Sequence, residues 1–113
     1  MAKIHIRCRR IYRKKESNMS ILLDDKTKSV CANGRNAHLT PHEYGILAYL
    51  MSHPNRTFTA EEIYRNAWNE EPYECRPIIS VHIRHIREKI EVNPSQPMYL
   101  DSFWGKGYRY NQY

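Results

Sequence analysis

Residues 77–92, PIISVHIRHIREKIEV, decide the fold because they place isoleucine at regular helical intervals. Four isoleucines recur at i, i+4, i+7 and i+11: Ile79, Ile83, Ile86 and Ile90. At about 100° per residue, these positions lie within about 60° on one side of an α-helix. Pro77 suits the first turn, and the Asn93-Pro94 pair ends the helix. The pattern predicts an amphipathic helix that buries an isoleucine ridge.

The opposite side of this predicted helix carries side chains that can contact DNA. They are Ser80, Val81, His82, Arg84, His85 and Arg87. An arginine can grip a guanine edge or a phosphate with two hydrogen bonds, and valine can touch a thymine methyl group. The major groove of B-form DNA admits an α-helix. A basic face is also typical of a merely solvated helix, so the flanking elements decide between the two interpretations.

Two capping boxes predict two shorter helices ahead of this one. Residues 40–43 read TPHE and residues 59–62 read TAEE. In each, the threonine side chain would accept a hydrogen bond from the backbone N–H of the glutamate three residues later. The glutamate carboxylate would in turn accept one from the threonine N–H. The first helix should end at residues 53–55, HPN, and the second before the polar loop at residues 69–72, NEEP.

Short strands are predicted on both sides of the helices. Three of them would pair as a small antiparallel sheet: residues 20–23, 29–32 and 36–39. The Asn33-Gly34 pair is a strong hairpin-turn signal. Residues 98–104 and 108–110 would form a C-terminal hairpin with Lys106 at a glycine-flanked tip. The order of sheet, three helices and hairpin predicts an α+β fold of the winged helix-turn-helix class.

The net charge of +6 is unevenly distributed along the chain. Residues 1–16 hold seven basic side chains and one acidic one. Residues 17–75 hold five basic and eight acidic side chains, and residues 76–113 hold six basic and three acidic ones. An acidic middle between basic ends suits a module that turns one face to phosphates and another to protein. Residues 1–16 fit a helix or a strand, with helix favoured. We predict that they form a basic linker before a winged-helix domain at residues 17–113.

Several classes of protein are excluded by what the sequence lacks. No apolar run approaches the roughly 20 residues that span a bilayer, and no signal peptide is evident. Cys8, Cys31 and Cys75 are far apart and are expected to stay reduced. Neither a nucleophile–base set, a metal-ligand set nor a Gly-rich phosphate loop is evident. We expect a cytoplasmic protein that is not an enzyme and needs no metal or other cofactor.

Five short motifs in order resemble the C-terminal effector domain of the OmpR/PhoB response regulators. They are LTPHEY at 39–44, HPNR at 53–56, AW at 67–68, VHIRHIREKI at 81–90 and GKGYRY at 105–110. Because several separate motifs occur in the same order, the resemblance is specific over residues 39–110.

This resemblance implies a winged helix with a four-stranded N-terminal sheet, whose third helix enters the major groove and whose wing reaches a minor groove. The residues implied in contact with double-stranded DNA are Arg76, Ser80, Val81, His82, Arg84, His85, Arg87, Ser102, Trp104, Lys106 and Arg109. It also implies transcription regulation within a two-component phosphorelay. Residues 1–15 resemble the end of a receiver domain and its linker, with the receiver itself missing. Homodimers on tandem half-sites are implied, and the fragment alone is compatible with a monomer.

The loop between the second and third helices is implied to face RNA polymerase. Its residues are Asn69, Glu70, Glu71, Tyr73 and Glu74. Their acidic character suits a protein partner better than a phosphate backbone.

Three departures from the family pattern each remove an arginine. Pro77 and His85 occupy two such positions on the third helix, and Arg76 is the candidate replacement for the first. Trp104 occupies the third, before the wing glycine. Its ring would either stack on a deoxyribose or pack against the core, and the core is favoured. The alternative function is a winged helix that contacts protein through its tyrosines and binds no DNA.

Overall fold

The computed structural model describes residues 21–112, which form three helices and two small sheets. In chain order the elements are β1 (Ile21–Asp24), β2 (Ser29–Ala32), β3 (Arg35–His38), α1 (Pro41–Ser52), β4 (Thr57–Phe58), α2 (Ala60–Trp68), α3 (Arg76–Ile90), β5 (Leu100–Phe103) and β6 (Gly107–Tyr110). The predicted α+β class is confirmed. Three of the four N-terminal strands implied by the resemblance are present in this range. The helix predicted within residues 1–16 lies outside the described residues.

The N-terminal sheet has the order β1-β2-β3 and is antiparallel throughout. Asn33 and Gly34 form its predicted turn, with φ of 55° and 75°, as a two-residue hairpin requires. The Asn33 amide donates to the Ile90 carbonyl (2.9 Å), and Arg35 donates to the Glu91 carbonyl (3.2 Å). These bonds satisfy carbonyls at the end of α3 that have no partner within the helix. The sheet therefore supports the C-terminal end of α3.

Both predicted capping boxes are present. In α1, Glu43 N donates to Thr40 Oγ1 (3.2 Å) and Thr40 N donates to Glu43 Oε1 (3.0 Å). In α2, Thr59 and Glu62 make the same two bonds at 3.1 and 2.9 Å. Each threonine cap stabilises its helix by about 1 kcal/mol.

The isoleucine ridge of α3 forms the centre of the hydrophobic core. Its four members are 0–1% exposed: Ile79, Ile83, Ile86 and Ile90. They pack with buried side chains of α1 and α2, including Leu47 and Ile63. Burying each such side chain contributes about 1.5–3 kcal/mol. The helix begins at Arg76 and ends at Ile90, two residues before the predicted end, because Glu91 is already extended (φ −95°, ψ 144°).

The C-terminal sheet has the order β4-β6-β5, so it contains a strand that the sequence did not predict. β4 is only two residues long, and Phe58 pairs with Tyr108 of β6. Gly107 lies so close to β4 that an added Cβ would stand 1.9 Å from the Phe58 carbonyl oxygen. The hairpin formed by β5 and β6, called the wing below, is thereby fixed against the start of α2.

The two described cysteines differ in state. Cys31 is disulfide-bonded, so the expectation of reduced thiols is wrong for this residue. Cys75 is a free thiol and is buried immediately before α3. In the range 21–112, no helix has the length and apolar character needed to cross a membrane.

Candidate nucleic-acid interface

The solvent face of α3 presents three of the predicted DNA-contacting side chains. Ser80 and Arg84 are exposed, and Val81 is 44% exposed. Within residues 21–112, Arg84 makes no ion pair or side-chain hydrogen bond, so its guanidinium is available to a ligand. The ridge holds the back of the helix in the core, and this face points outward as a result.

A cleft of about 670 Å³ separates α3 from the wing. Its lining comes from the start of α2, from α3 and from the wing. It includes the cations Arg76, Arg87 and Lys106, the polar Thr59, Ser80 and Ser102, the acidic Glu61 and the aromatic Trp104. The N-terminus of α2 opens on the same space, and a helix N-terminus favours an anion. The cleft can therefore accept one strand of a polyanion between α3 and the wing.

Arg76 stands in the cleft as half of an exposed ion pair. Its Nε lies 2.9 Å from Glu61 Oε2, and the arginine side chain is 80% exposed. The hydrogen bond raises the pKa of Arg76 and lowers the pKa of Glu61. Solvent screens an exposed pair of this kind, so a phosphate can compete with Glu61 for the guanidinium.

Two other predicted arginines are held by the protein itself. Arg87 Nε donates to the Leu100 carbonyl at 2.8 Å, which ties α3 to β5. Arg109 Nε donates to Asn111 Oδ1 at 2.7 Å, and its guanidinium lies 4.5 Å from the centre of the Phe103 ring. Both are only partly exposed. In this conformation they brace the cleft, and the prediction that they are free to grip DNA does not fit their contacts.

His82 was predicted to donate to DNA, but its ring lies at the junction of the three helices. Its centroid is 5.3 Å from that of Trp68 and 5.7 Å from that of His42. Both ring nitrogens are buried and have no hydrogen-bond partner among residues 21–112. Burial lowers the pKa of His82, which favours the neutral ring. This placement does not favour the predicted DNA contact of His82, because the helix turns the side chain towards α1 and α2.

His85 lies beside a buried carboxylate that joins α1 to α3. Glu43, whose side chain is 4% exposed, accepts from Lys89 Nζ at 2.7 Å, and its Oε2 lies 3.6 Å from His85 Nδ1. The same carboxylate accepts the Thr40 N–H of the capping box. Burial raises the pKa of Glu43, but the Lys89 and Thr40 hydrogen bonds and the Lys89 and His85 charges together lower it below 4.5. The carboxylate thus fixes the orientation of α3.

Acid should weaken the contacts that the Glu43 carboxylate makes between α1 and α3. Because the pKa of Glu43 is lowered in the folded state, its ionised form contributes stability above pH 4.5, and that contribution is lost as pH falls through the folded-state pKa. Urea unfolding between about pH 3 and 6 should show a smaller pH dependence for Glu43→Gln than for wild type. In Lys89→Met, the stability contributed by ionised Glu43 should be lost at a higher pH than in wild type. The reason is that the hydrogen bond and charge of Lys89, which lower the pKa of Glu43, are gone. An unchanged pH dependence in Glu43→Gln would contradict the role given to this carboxylate.

Trp104 does not pack against the core, so the favoured interpretation of this residue is wrong. It is 100% exposed in the turn between β5 and β6, with Lys106 two residues further on. Ser102 and Lys106 are exposed as well. The turn ends β5 at Phe103, so the tryptophan is carried beyond the sheet.

The loop between α2 and α3 is largely exposed. Asn69 ends α2 in the left-handed region (φ 58°), and Glu74 also has a positive φ of 47°. Glu70 and Glu71 are exposed, and Tyr73 is 79% exposed. The predicted loop therefore presents acidic groups and one aromatic ring to solvent.

Among the cleft-lining residues that sequence reasoning missed are Thr59, Ala60 and Glu61 at the start of α2. The TAEE capping signal located the start of α2 correctly, but nothing local to it indicated that this start faces the wing. That proximity depends on β4 pairing with β6, across about 50 residues of chain.

Three packed helices followed by a C-terminal hairpin, with a cleft between α3 and the hairpin, define a winged helix-turn-helix protein. Residues 34–110 match the model of the family described as "Transcriptional regulatory protein, C terminal". The chain belongs to this family, the OmpR/PhoB type that its motifs resemble.

Individual proteins agree with this assignment. The transcriptional regulatory protein YcbL of Bacillus subtilis (strain 168) is 42% identical over 93 residues, which are 82% of this chain and 41% of YcbL. The response regulator DrrB, an OmpR/PhoB homologue from Thermotoga maritima, has 26% identity and a TM-score of 0.68, over 80% of this chain and 41% of DrrB. The DNA-binding domain of AdeR, solved in complex with an intercistronic region, has 26% identity and a TM-score of 0.64, over 82% of this chain and 95% of that one. The chain spans about two fifths of YcbL and DrrB.

Proposed function

We propose that this chain binds double-stranded DNA sequence-specifically and regulates transcription as the output domain of a two-component response regulator. In this proposal α3 lies in the major groove and the wing lies at an adjacent minor groove. The observation that carries it is the exposed face of α3, where Arg84 has no ion pair or side-chain hydrogen bond within residues 21–112, beside a cleft that holds Arg76 and Lys106.

The size of α3 supports insertion into a groove. An α-helix with its side chains is about 10–12 Å in diameter, which matches a major groove about 12 Å wide. The 15 residues of α3 extend about 22 Å along its axis. Arg84, Ser80 and Val81 are then the base-reading candidates. Arg76 and Lys106 are the phosphate-contacting candidates, and Ser102 can donate to the backbone beside the wing. No base contact is assigned to His85, because Glu43 already lies within reach of its ring.

Partners beyond DNA follow from the proposal and from the relatives. The exposed acidic loop, with Tyr73 and its glutamates, suits a surface of RNA polymerase that carries the opposite charge. We propose that the full regulator is cytoplasmic and carries a receiver domain, since YcbL and DrrB are more than twice as long as the matched region. We also propose that two copies occupy tandem half-sites about one helical turn apart.

The first test is the effect of Arg84→Ala on binding to a duplex selected from a random pool. If Arg84 grips a base, affinity should fall by roughly 1–3 kcal/mol, which is about 5- to 150-fold, and discrimination at one base pair should relax. Fluorescence anisotropy on the selected duplex and on single-base variants measures both effects. Lys26→Ala is the matched control, because it removes an exposed positive charge from the β1–β2 turn, outside the cleft.

The salt dependence separates the DNA proposal from the alternative of a protein-binding module. Lys106→Ala should weaken binding to all duplexes alike and reduce the slope of log K against log salt by about one. Affinity for DNA should fall steeply between about 50 and 200 mM salt, whereas an apolar protein contact would be nearly insensitive. If Arg84→Ala and Lys106→Ala both leave binding intact, the interface is not the one proposed.

A further inference from the structure

We propose that Trp104 is an apolar wedge that enters the minor groove of the bound duplex and stacks on a deoxyribose and the adjoining base edge. The contact would give the domain a preference for easily deformed base steps beside its major-groove site. This inference rests on the proposed function, because it requires a duplex on α3.

Exposure is the first observation. Trp104 is 100% exposed, whereas the other exposed large hydrophobic side chains of residues 21–112 range from 39% to 79%. The indole ring leaves a large apolar surface in water, and covering that surface in a complex would be favourable. Trp104 neither packs in the core nor rests on another part of the described domain, because its ring projects beyond the sheet and is fully exposed.

The second observation is that the protein mounts this ring on a rigid support. Lys106 N donates to the Phe103 carbonyl at 2.9 Å, which closes the turn around Trp104. Gly105 supplies the positive φ of 73° that the turn needs, and Gly107 is locked against β4. Arg109 covers the Phe103 ring at the base of the turn. Because the support is already ordered, stacking of the ring loses little entropy from the backbone.

Position and charge identify the occupant. Trp104 shares the cleft with Ser80 of α3, and Arg76 and Lys106 lie on the same lining. The cations select a polyanion, and α3 fixes how that polyanion lies against the wing. An indole carries no charge and offers one N–H donor, so it cannot replace the phosphate grip of an arginine. Its large flat surface suits the sugar and base edges between the two phosphate strands.

The expected consequence is selection by deformability. Apolar side chains that enter the minor groove partly unstack a base step, and pyrimidine–purine steps such as TpA yield most easily. A wild-type preference for such a step next to the wing should therefore disappear when the ring is removed, even though no base is read by hydrogen bonds there.

The experiment uses the 113-residue chain and a duplex selected from a random pool. The chain has two tryptophans, so Trp68→Phe leaves Trp104 as the single fluorophore. Duplex should quench its emission and reduce its access to acrylamide. Should Trp68→Phe unfold, the difference between wild-type and Trp104→Ala spectra gives the same signal. Trp104→Ala should weaken binding about 5- to 150-fold with an unchanged salt slope, whereas Lys106→Ala lowers that slope by about one.

The matched substitutions complete the test. Trp104→Phe should keep part of the affinity, and replacing the wing-proximal TpA step by ApA should weaken wild type but not Trp104→Ala. The duplex could bind without changing Trp104 emission or acrylamide access, and Trp104→Ala could bind as tightly as wild type. That result would show that Trp104 does not enter the minor groove, and it would leave the proposed DNA-binding function intact. If wild type binds no duplex at about 50 mM salt, both the proposed DNA-binding function and the proposed minor-groove contact of Trp104 are wrong.

Discussion

Gly107→Ala should lose roughly 2–6 kcal/mol of unfolding free energy. The new Cβ would stand 1.9 Å from the carbonyl oxygen of Phe58, 2.6 Å from its carbonyl carbon and 2.9 Å from Thr59 Cα. All three are backbone atoms, so no side-chain rotation relieves the overlap. Overpacking costs about 1–3 kcal/mol, and the strained φ of 132° adds roughly as much.

Gly105→Ala is the matched control for this prediction. It changes a glycine two residues away in the same turn, but no atom lies within 4 Å of the added Cβ. Only the φ of 73° opposes alanine there, at about 1–2 kcal/mol. Urea unfolding followed by circular dichroism measures both variants. Equal losses for the two would show that the contact between the wing and β4 does not limit stability.

The second large effect is expected at Glu91, where Glu91→Gln should lose roughly 3 kcal/mol and Glu91→Ala somewhat more. This side chain is 2% exposed and its carboxylate accepts three backbone N–H groups, from Met98 (2.7 Å), Tyr99 (2.9 Å) and Leu100 (2.8 Å). Hydrogen bonds to a charged group are worth about 1.5–3 kcal/mol, and a buried donor left without a partner costs about 1–3 kcal/mol. Glutamine keeps one accepting oxygen and turns an NH₂ group towards donors.

Glu88→Gln controls for the loss of a negative charge near the end of α3. Glu88 is exposed, so its substitution should change the free energy of unfolding by less than about 0.5 kcal/mol. Hydrogen exchange adds a local readout, because the amides at the start of β5 should lose protection in Glu91→Gln and keep it in Glu88→Gln. Full protection of those amides in Glu91→Gln would show that the carboxylate does not organise this connection.

These two positions show how differently the chain signals its structural requirements. The glycines around Lys106 predicted a tight turn, and the turn is present. The same sequence gave no sign that Gly107 must approach the peptide of Phe58, because β4 is two residues long and has no periodicity of its own. The sequence placed Glu91 inside the predicted helix, as one more charged residue of its last turn. Its role depends on three amides that follow it by seven to nine residues.

The candidate site divides in the same way. Helical periodicity correctly assigned the buried side of α3, since that assignment needs only the 100° turn per residue and the burial of isoleucine. Periodicity could not show which residues on the other side of α3 are free to contact a ligand. Arg84 has no partner there among the described residues, His82 lies among rings from α1 and α2, and Arg87 donates to the Leu100 carbonyl. Whether a side chain between the two faces is free depends on which neighbouring element it meets.

Local signals therefore determined the helix starts, the core ridge and the order of elements, because capping, periodicity and turn chemistry act over a few residues. Tertiary structure alone decided which cations remain open, where the wing is anchored and that Trp104 stands clear of the core. Those outcomes depend on contacts between distant segments, such as Lys89 with Glu43 and Phe58 with Tyr108. Such contacts form only when the packed core brings the segments together, and no short stretch of sequence encodes them.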